Sequence, residues 1–235
     1  MAEMAVGDGI AAIVATPHQL GSYAHNDGDT IRALACELQD LLAARDIPLT
    51  VLPGADVRIE PEMASGLVAG SVLSLADRRR HVLLELPHET YIPLQPVLRQ
   101  LAGAGLAGIL SHPERNQGLL RQPQLLAPLV EQGCLMQITA GSLLGAFGHK
   151  SQVLCETMLG EGLVHFVATD AHAVRARRPL LSAAFARTAE LTSWETAESL
   201  FSENPRRVAN GEEVDATARL RKTGSFRWFW KRKAA

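Results

Sequence analysis

Short apolar runs alternate with longer stretches of helical periodicity as far as about residue 215. The runs Ala11–Ala15, Leu49–Pro53, Val82–Leu86, Gly108–Ser111, Leu135–Thr139 and Val164–Ala168 are short and mostly apolar and predict strands. The stretches Asp29–Arg45, Pro61–Ala69, Pro93–Ala104, Gln124–Gln132, Ser151–Glu161, Leu180–Leu191 and Trp194–Phe201 predict helices. Asp29 and Ser193 read as N-caps, and Gly105, Gly133 and Gly162 each follow a helix as a C-terminal stop. Repeated βα units without a low-complexity linker or internal repeat predict one α/β domain over residues 1–215. Its expected form is a (β/α) barrel, with a doubly wound open sheet as the alternative.

Chemistry-bearing residues gather where these strands end. "AIVATPH" is a strand that Thr16 and Pro17 stop, delivering His18, because proline cannot donate to a ladder. "TVLPGAD" ends on Asp56, "VLLELP" carries Glu85, "GILSHPER" brings His112 and Arg115, and "VHFVATDAH" delivers Asp170 and His172. One such histidine is most often a surface or capping residue. Five strands ending this way point instead to a site at the C-terminal face of a barrel. Imidazoles mixed with carboxylates and no cysteine suit zinc, manganese or iron, and Glu85 and Asp56 are the candidates to bridge two ions. Clustered metals serve phosphate-ester hydrolysis, and guanidinium groups from Arg115, Arg177 and Arg178 fit the oxygens of a transferring phosphoryl group. Surface ion pairing is the competing reading of these arginines.

Composition narrows the classes further. The 235 residues are 47% hydrophobic and 20% charged, as in an ordinary globular protein, with no run of 18 apolar residues and no signal segment. Cys36, Cys134 and Cys155 form no CxxC pair, which disfavours a zinc-thiolate site or disulfide framework and fits a reducing cytoplasm. Six positions beyond them stand Leu42, Ala140 and Glu161, so the thiolate–arginine spacing of cysteine-based tyrosine phosphatases is absent. The net charge of −2 hides seven bases and no acid after Asp215, which leaves residues 1–215 at −9. An acidic body argues against a nucleic-acid-binding fold. The aromatic and basic tail over residues 216–235, with Trp228, Trp230, Phe226 and Phe229 among its bases, suits either a disordered or docked segment or a peripheral contact with anionic lipid through residues 226–233.

The motifs "IVATPH", "VLPGADVRI", "LLELP", "SHPERN", "QITAGSLLGAFG" and "LVHFVATDAH" together resemble the PHP (polymerase and histidinol phosphatase) superfamily. "SHPERN" and "ITAGSLLGAFG" are similar to its manganese-dependent bacterial protein-tyrosine phosphatases of capsule and exopolysaccharide operons, a likeness that ends near Val214. The resemblance implies a distorted (β/α) barrel and a metal-dependent phosphomonoesterase acting on the phosphotyrosine tail of a bacterial tyrosine kinase. It implies up to three ions, Mn2+ or another divalent metal such as Fe2+, Zn2+ or Co2+. His18, Glu85, His112, Asp170 and His172 become expected ligands, and Arg115 and Arg177 expected phosphate-handling residues. A phosphoesterase acting on a small metabolite or nucleic-acid end, and a lapsed site, are the alternatives.

Two departures stand out. Asp56 occupies a position where these proteins usually carry glutamate, and one methylene is more than the ~0.2 Å tolerance of a metal bond. No H-x-H motif precedes His18, whereas the resemblance implies a first strand bearing one. "MAEMAVGDG" then reads as the last turns of the first helix, and the expected barrel lacks its first strand and stays incomplete. His25, His81, His88, His149 and His165 are expected to be structural or surface histidines, and Tyr23 and Asn26 to line the substrate entrance.

Overall fold

The six apolar runs all become parallel strands, and a computed structural model describes residues 1–217. The first two strands are each broken once. Strands β1 (Ala12–Ala15) and β2 (His18–Gln19) flank Thr16 and Pro17; β3 (Thr50–Pro53) and β4 (Asp56–Arg58) flank Gly54 and Ala55. They are followed by β5 (His81–Glu85), β6 (Ala107–Ser111), β7 (Leu135–Thr139) and β8 (Phe166–Ala168). β1 pairs with β3, and the main sheet runs β2-β4-β5-β6-β7-β8, every pairing parallel.

β1 stops before Thr16 and Pro17, as expected from the sequence, but parallel pairing resumes beyond them. Pro17 lacks a donor, but its carbonyl accepts from the Asp56 N–H at 3.1 Å, and the ladder resumes with His18 in register with Asp56. Among the described residues no strand joins β2 to β8, so the sheet is an open barrel wall, as the resemblance implied.

Alternation along the strands separates two cores. Leu83, Ile109 and Leu135 are register partners and pack with Val14 and Phe166 on the inner face. Leu75, Val208, Val214 and Ala216 join this inner cluster. The opposite positions, Val82 and Leu84 or Leu110, Met136 and Ile138, face the helices. Two residues beyond Leu83 and Ile109 on the inward side stand Glu85 and Ser111, so the inner face is apolar in its middle and polar at the strands' C-terminal ends.

The helices are α1 (Ala2–Gly7), α2 (Gly28–Ala43), α3 (Met63–Ala69), α4 (Gln95–Gly103), α5 (Gln117–Arg121), α6 (Leu126–Glu131), α7 (Ala140–Leu143), α8 (His149–Gly160), α9 (Ser182–Leu191), α10 (Trp194–Glu198) and α11 (Asn204–Asn210). Asp27, and not the expected Asp29, caps α2. Its carboxylate accepts from the Thr30 N–H at 2.9 Å, while Asp29 turns to Arg32 at 2.8 Å. Ser193 caps α10 as expected, and Gly105, Gly133 and Gly162 all have positive φ.

Asp8, just after α1, reaches α9. It accepts from the backbone N–H groups of Leu181 and Ser182 and from the Ser182 hydroxyl, joining the first and last parts of the fold. Burial raises its pKa, but these bonds outweigh burial and hold the carboxyl below its usual range.

Cys36 is exposed on α2, and the other two cysteines are shielded. Cys134 and Cys155 are buried, and burial pushes the Cys134 thiol up to about 12 and Cys155 higher still. His81 and His165 are buried at the starts of β5 and β8; the His165 ring accepts from the Met136 N–H at 3.0 Å. His88 is exposed near Glu89. Residues 218–235, with the aromatic and basic segment 226–233, lie outside the described residues. No helix among the described residues is long and apolar enough to cross a membrane.

Candidate active site

Four neighbouring strands bring one cluster together. His18 on β2, Asp56 on β4, Glu85 on β5 and His112 just after β6 converge because the inward face of each strand points into the same open end. His18 Nδ1 lies 3.2 Å from Glu85 Oε2 and 3.9 Å from Asp56 Oδ2. His112 Nε2 lies 3.8 Å from Glu85 Oε1 and 3.9 Å from Asp56 Oδ2. One ligand atom each from His18, Asp56 and Glu85 falls within 4.8 Å of the others.

The polar atoms of this cluster are left incomplete. His18 Nδ1, Asp56 Oδ1 and Glu85 Oε2 are buried without a hydrogen-bond partner, although unpaired buried polar groups are costly. Asp56 is 5% exposed and receives one hydrogen bond, from Ser111 Oγ at 3.3 Å. Burial, then the neighbouring charges of Glu85 and Asp170, push its carboxyl up to about 8. Burial and the Arg115 guanidinium push His112 down to about 4, which leaves its ring neutral. A neutral imidazole, buried carboxylates with unused lone pairs and no cationic partner bonded to Asp56 form a donor set that fits a divalent cation.

A second group sits beside it. Asp170, after β8, accepts from Arg115 Nη1 at 2.5 Å and from Arg177 Nη2, while Arg177 Nε reaches the Asp170 carbonyl at 3.2 Å. His112, Asp170 and Arg177 all have left-handed backbones, with φ of 34°, 48° and 49°. Three non-glycine residues in that region within one site are the backbone strain that functional loops concentrate. Arg115 lies over the Phe147 ring at 4.4 Å.

The structure thus groups His18, Asp56, Glu85 and His112, and separately Asp170, Arg115 and Arg177. His172 joins neither in full. Its side chain is half exposed, and its Nδ1 lies 2.9 Å from the Asp170 carbonyl. Arg178 is exposed.

Tyr23 lies against His18, with ring centroids 4.8 Å apart, and Asn26 donates to the His18 carbonyl at 2.8 Å. Asn26 thereby holds the loop after His18 against β2. Arg58, Ser111 and Glu114 escaped the sequence reading. Arg58 approaches Glu85 Oε2 at 3.4 Å and lies over Tyr23 at 5.4 Å; its signal was its position two residues after Asp56 on the same strand face.

Ligand-type side chains at the C-terminal ends of parallel strands, flanked by arginines, define a metal-dependent phosphoesterase-like site, and sequence comparison narrows the class. The chain belongs to the capsular polysaccharide synthesis CpsB/CapC family, whose model matches residues 1–210. It is 38% identical over 179 residues to the tyrosine-protein phosphatase YwqE of Bacillus subtilis, covering 75% of this chain and 70% of that one. It is 28% identical over 228 residues to the putative tyrosine-protein phosphatase CapC of Staphylococcus aureus, covering 97% and 89%. A crystal structure from work on YwqE of Bacillus subtilis and CpsB of Streptococcus pneumoniae, described as unique metal-dependent tyrosine phosphatases, superposes with a TM-score of 0.85 at 34% identity, over 91% of this chain and 86% of that one.

Proposed function

We propose that this chain is a metal-dependent protein-tyrosine phosphatase of capsule or exopolysaccharide synthesis, acting on the phosphorylated tyrosine tail of a bacterial tyrosine kinase. The observation that carries the reading is the set of buried atoms without a hydrogen bond, His18 Nδ1, Asp56 Oδ1 and Glu85 Oε2, whose residues offer ligand atoms within 4.8 Å of one another. His18, Asp56, Glu85 and His112 would hold divalent metal, with Asp170 and His172 reaching further ions; manganese is the expected metal and three ions the upper count. Metal in this position supplies an activated water and neutralises charge at phosphorus.

The chain's own residues do the rest. Arg115 and Arg177 bind the phosphoryl oxygens, and Asp170 orients both guanidinium groups until substrate arrives. Ser111 holds the Asp56 carboxylate in place by its hydrogen bond. The rings of Tyr23, beside His18, and Phe147, beneath Arg115, offer an aromatic rim to an aryl leaving group, which favours a tyrosyl over a seryl ester.

The protein works in the cytoplasm, and the tail over residues 226–233 supplies a peripheral contact with anionic lipid near a membrane-bound kinase. Metal analysis of the purified chain and turnover of phosphotyrosyl against phosphoseryl peptides test the reading. Manganese-dependent, chelator-sensitive cleavage of the tyrosyl peptide is the expected result. Preference for nucleotide ends or small phosphate esters, or metal at well under one equivalent, overturns it.

A further inference from the structure

The turn carrying His112 and Arg115 contains a buried acid that the proposed chemistry does not use. Glu114, between the candidate ligand side and the arginine, is 0% exposed, and no ion pair reaches it among the described residues. Its Oε1 accepts from the Thr139 N–H at 3.0 Å and from Thr139 Oγ1 at 2.9 Å, across to the end of β7. The Thr139 hydroxyl gives its proton to Glu114, so the Ser142 hydroxyl, 2.7 Å away, donates to Thr139. Two groups of the "ITAGS" stretch, the Thr139 N–H and hydroxyl, are therefore committed to one carboxylate from "HPER", with the Ser142 hydroxyl bracing them. Burying an acid without a cationic partner is costly, so packing alone gives no reason for it.

The same stretch holds Arg115 from its other side. Phe147, in the loop after α7, lies under the Arg115 guanidinium at 4.4 Å. A Cβ on Gly141 would come within 3.0 Å of the Phe147 ring, so glycine there lets the ring lie close to α7. Glu114 thus ties the turn to β7, and Phe147 supports the guanidinium that the turn projects.

We propose that Glu114, held by Thr139 and Ser142, is a positioning residue that fixes the strained His112–Arg115 turn and, with Phe147, aims Arg115 at the phosphoryl group. The inference rests on the phosphate-binding role given to Arg115 above. It explains why "TAGS" and "GAF" occur together downstream of "HPER": they form one cradle for an adjacent pair of residues.

A double-mutant cycle tests this in the full chain loaded with manganese. Two readouts are used: turnover of a phosphotyrosyl peptide, and binding of inorganic phosphate by calorimetry. Glu114→Ala should lower kcat by roughly 10²-fold, the scale of a small misplacement of a reacting group, and weaken phosphate binding with bound manganese unchanged. Glu114→Gln keeps the acceptor for Thr139 and should recover kcat to within about threefold of the parent. In an Arg115→Ala background, Glu114→Ala should cost less than about twofold, because its effect passes through the missing guanidinium. Phe147→Leu, at a half-buried position, should behave likewise with a loss of about tenfold or less, and it carries the test if Glu114→Ala does not fold.

Equal losses with and without Arg115, or loss of manganese together with activity, overturn the proposal and make Glu114 a structural residue only. If the parent chain cleaves no phosphotyrosyl ester, the proposed function fails, while the phosphate-binding cycle still decides for or against the cradle.

Discussion

The two halves of the site are built in opposite ways. The cluster of His18, Asp56, Glu85 and His112 leaves buried polar atoms without hydrogen bonds, whereas the group of Asp170, Arg115 and Arg177 is hydrogen-bonded within itself. Three of the first half's residues, His18, Asp56 and Glu85, sit on adjacent strands in register, a rigid frame; the second half comes from the turn after β6 and the loop after β8, where Asp170 and Arg177 have left-handed backbones. An incomplete, rigid donor set is what a resident cation requires, because ligand distances must be held within ~0.2 Å. A self-paired group on loops suits a ligand that comes and goes, since the guanidiniums exchange one carboxylate for another anion.

This contrast is sharpest under mutation. Glu85→Ala should abolish manganese binding and lower turnover by roughly 10³-fold or more, on the scale of losing catalysis through the metal. Metal analysis beside kinetics checks it, and full metal content in that variant would remove Glu85 from the ligand set. Arg115→Ala should lower turnover by roughly 10²-fold while keeping metal content intact. If that variant also loses manganese, the two halves are not separable.

Proton linkage gives the next effect. In the metal-free protein Asp56 has its pKa raised from 3.8 to about 8, so its folded form holds a proton that the unfolded chain has already released. That contribution to stability is present at low pH and is lost as pH rises from about 4 to about 8. A cation must displace the same proton, so manganese should bind more tightly and raise Tm more at pH 8 than at pH 6; at either pH, a hundredfold excess over the Kd at that pH stabilises the fold by about 2.7 kcal/mol. Calorimetric scans with and without metal at the two pH values measure it. A metal-induced shift that shrinks with pH would contradict the assignment.

A smaller effect lies outside the site. His81, buried at the start of β5, has its pKa lowered by burial and by Arg80 from 6.5 to about 4. Its contribution to stability is complete above about pH 6.5 and is lost as pH falls through about 4, opposite in sign to Asp56. His81→Leu should flatten this acid limb while leaving turnover at neutral pH within about twofold, because the change is far from the reacting groups. An unchanged acid limb in denaturant titrations would place the sensitivity elsewhere, with His112 the next candidate.

Much of the fold was legible because strand burial is a local pattern. All six apolar runs became strands, and Leu135–Thr139 is a strand over the same residues. The short strands β2 and β4 were not legible, since Pro17 and Gly54 look like stops; only the pairing of His18 with Asp56 shows that the ladder continues past them. The cap of α2 shifted to Asp27 for a similar reason. Asp27 and Asp29 are equivalent as sequence, and the Arg32 partner decides between them.

The sequence by itself determined which residues could do chemistry: imidazoles, carboxylates and guanidiniums at the ends of apolar runs, where a parallel sheet delivers them to one face. It also determined what was excluded, since no cysteine stands six positions ahead of an arginine. Only the tertiary structure decided which of those residues meet. It set His18, Asp56, Glu85 and His112 together, turned Asp170 to two arginines and left His172 half exposed. It also gave Glu114 its partners across the end of β7. Those choices depend on strand register and loop closure between residues tens of positions apart, and no local pattern of hydrophobic and polar residues encodes such distances.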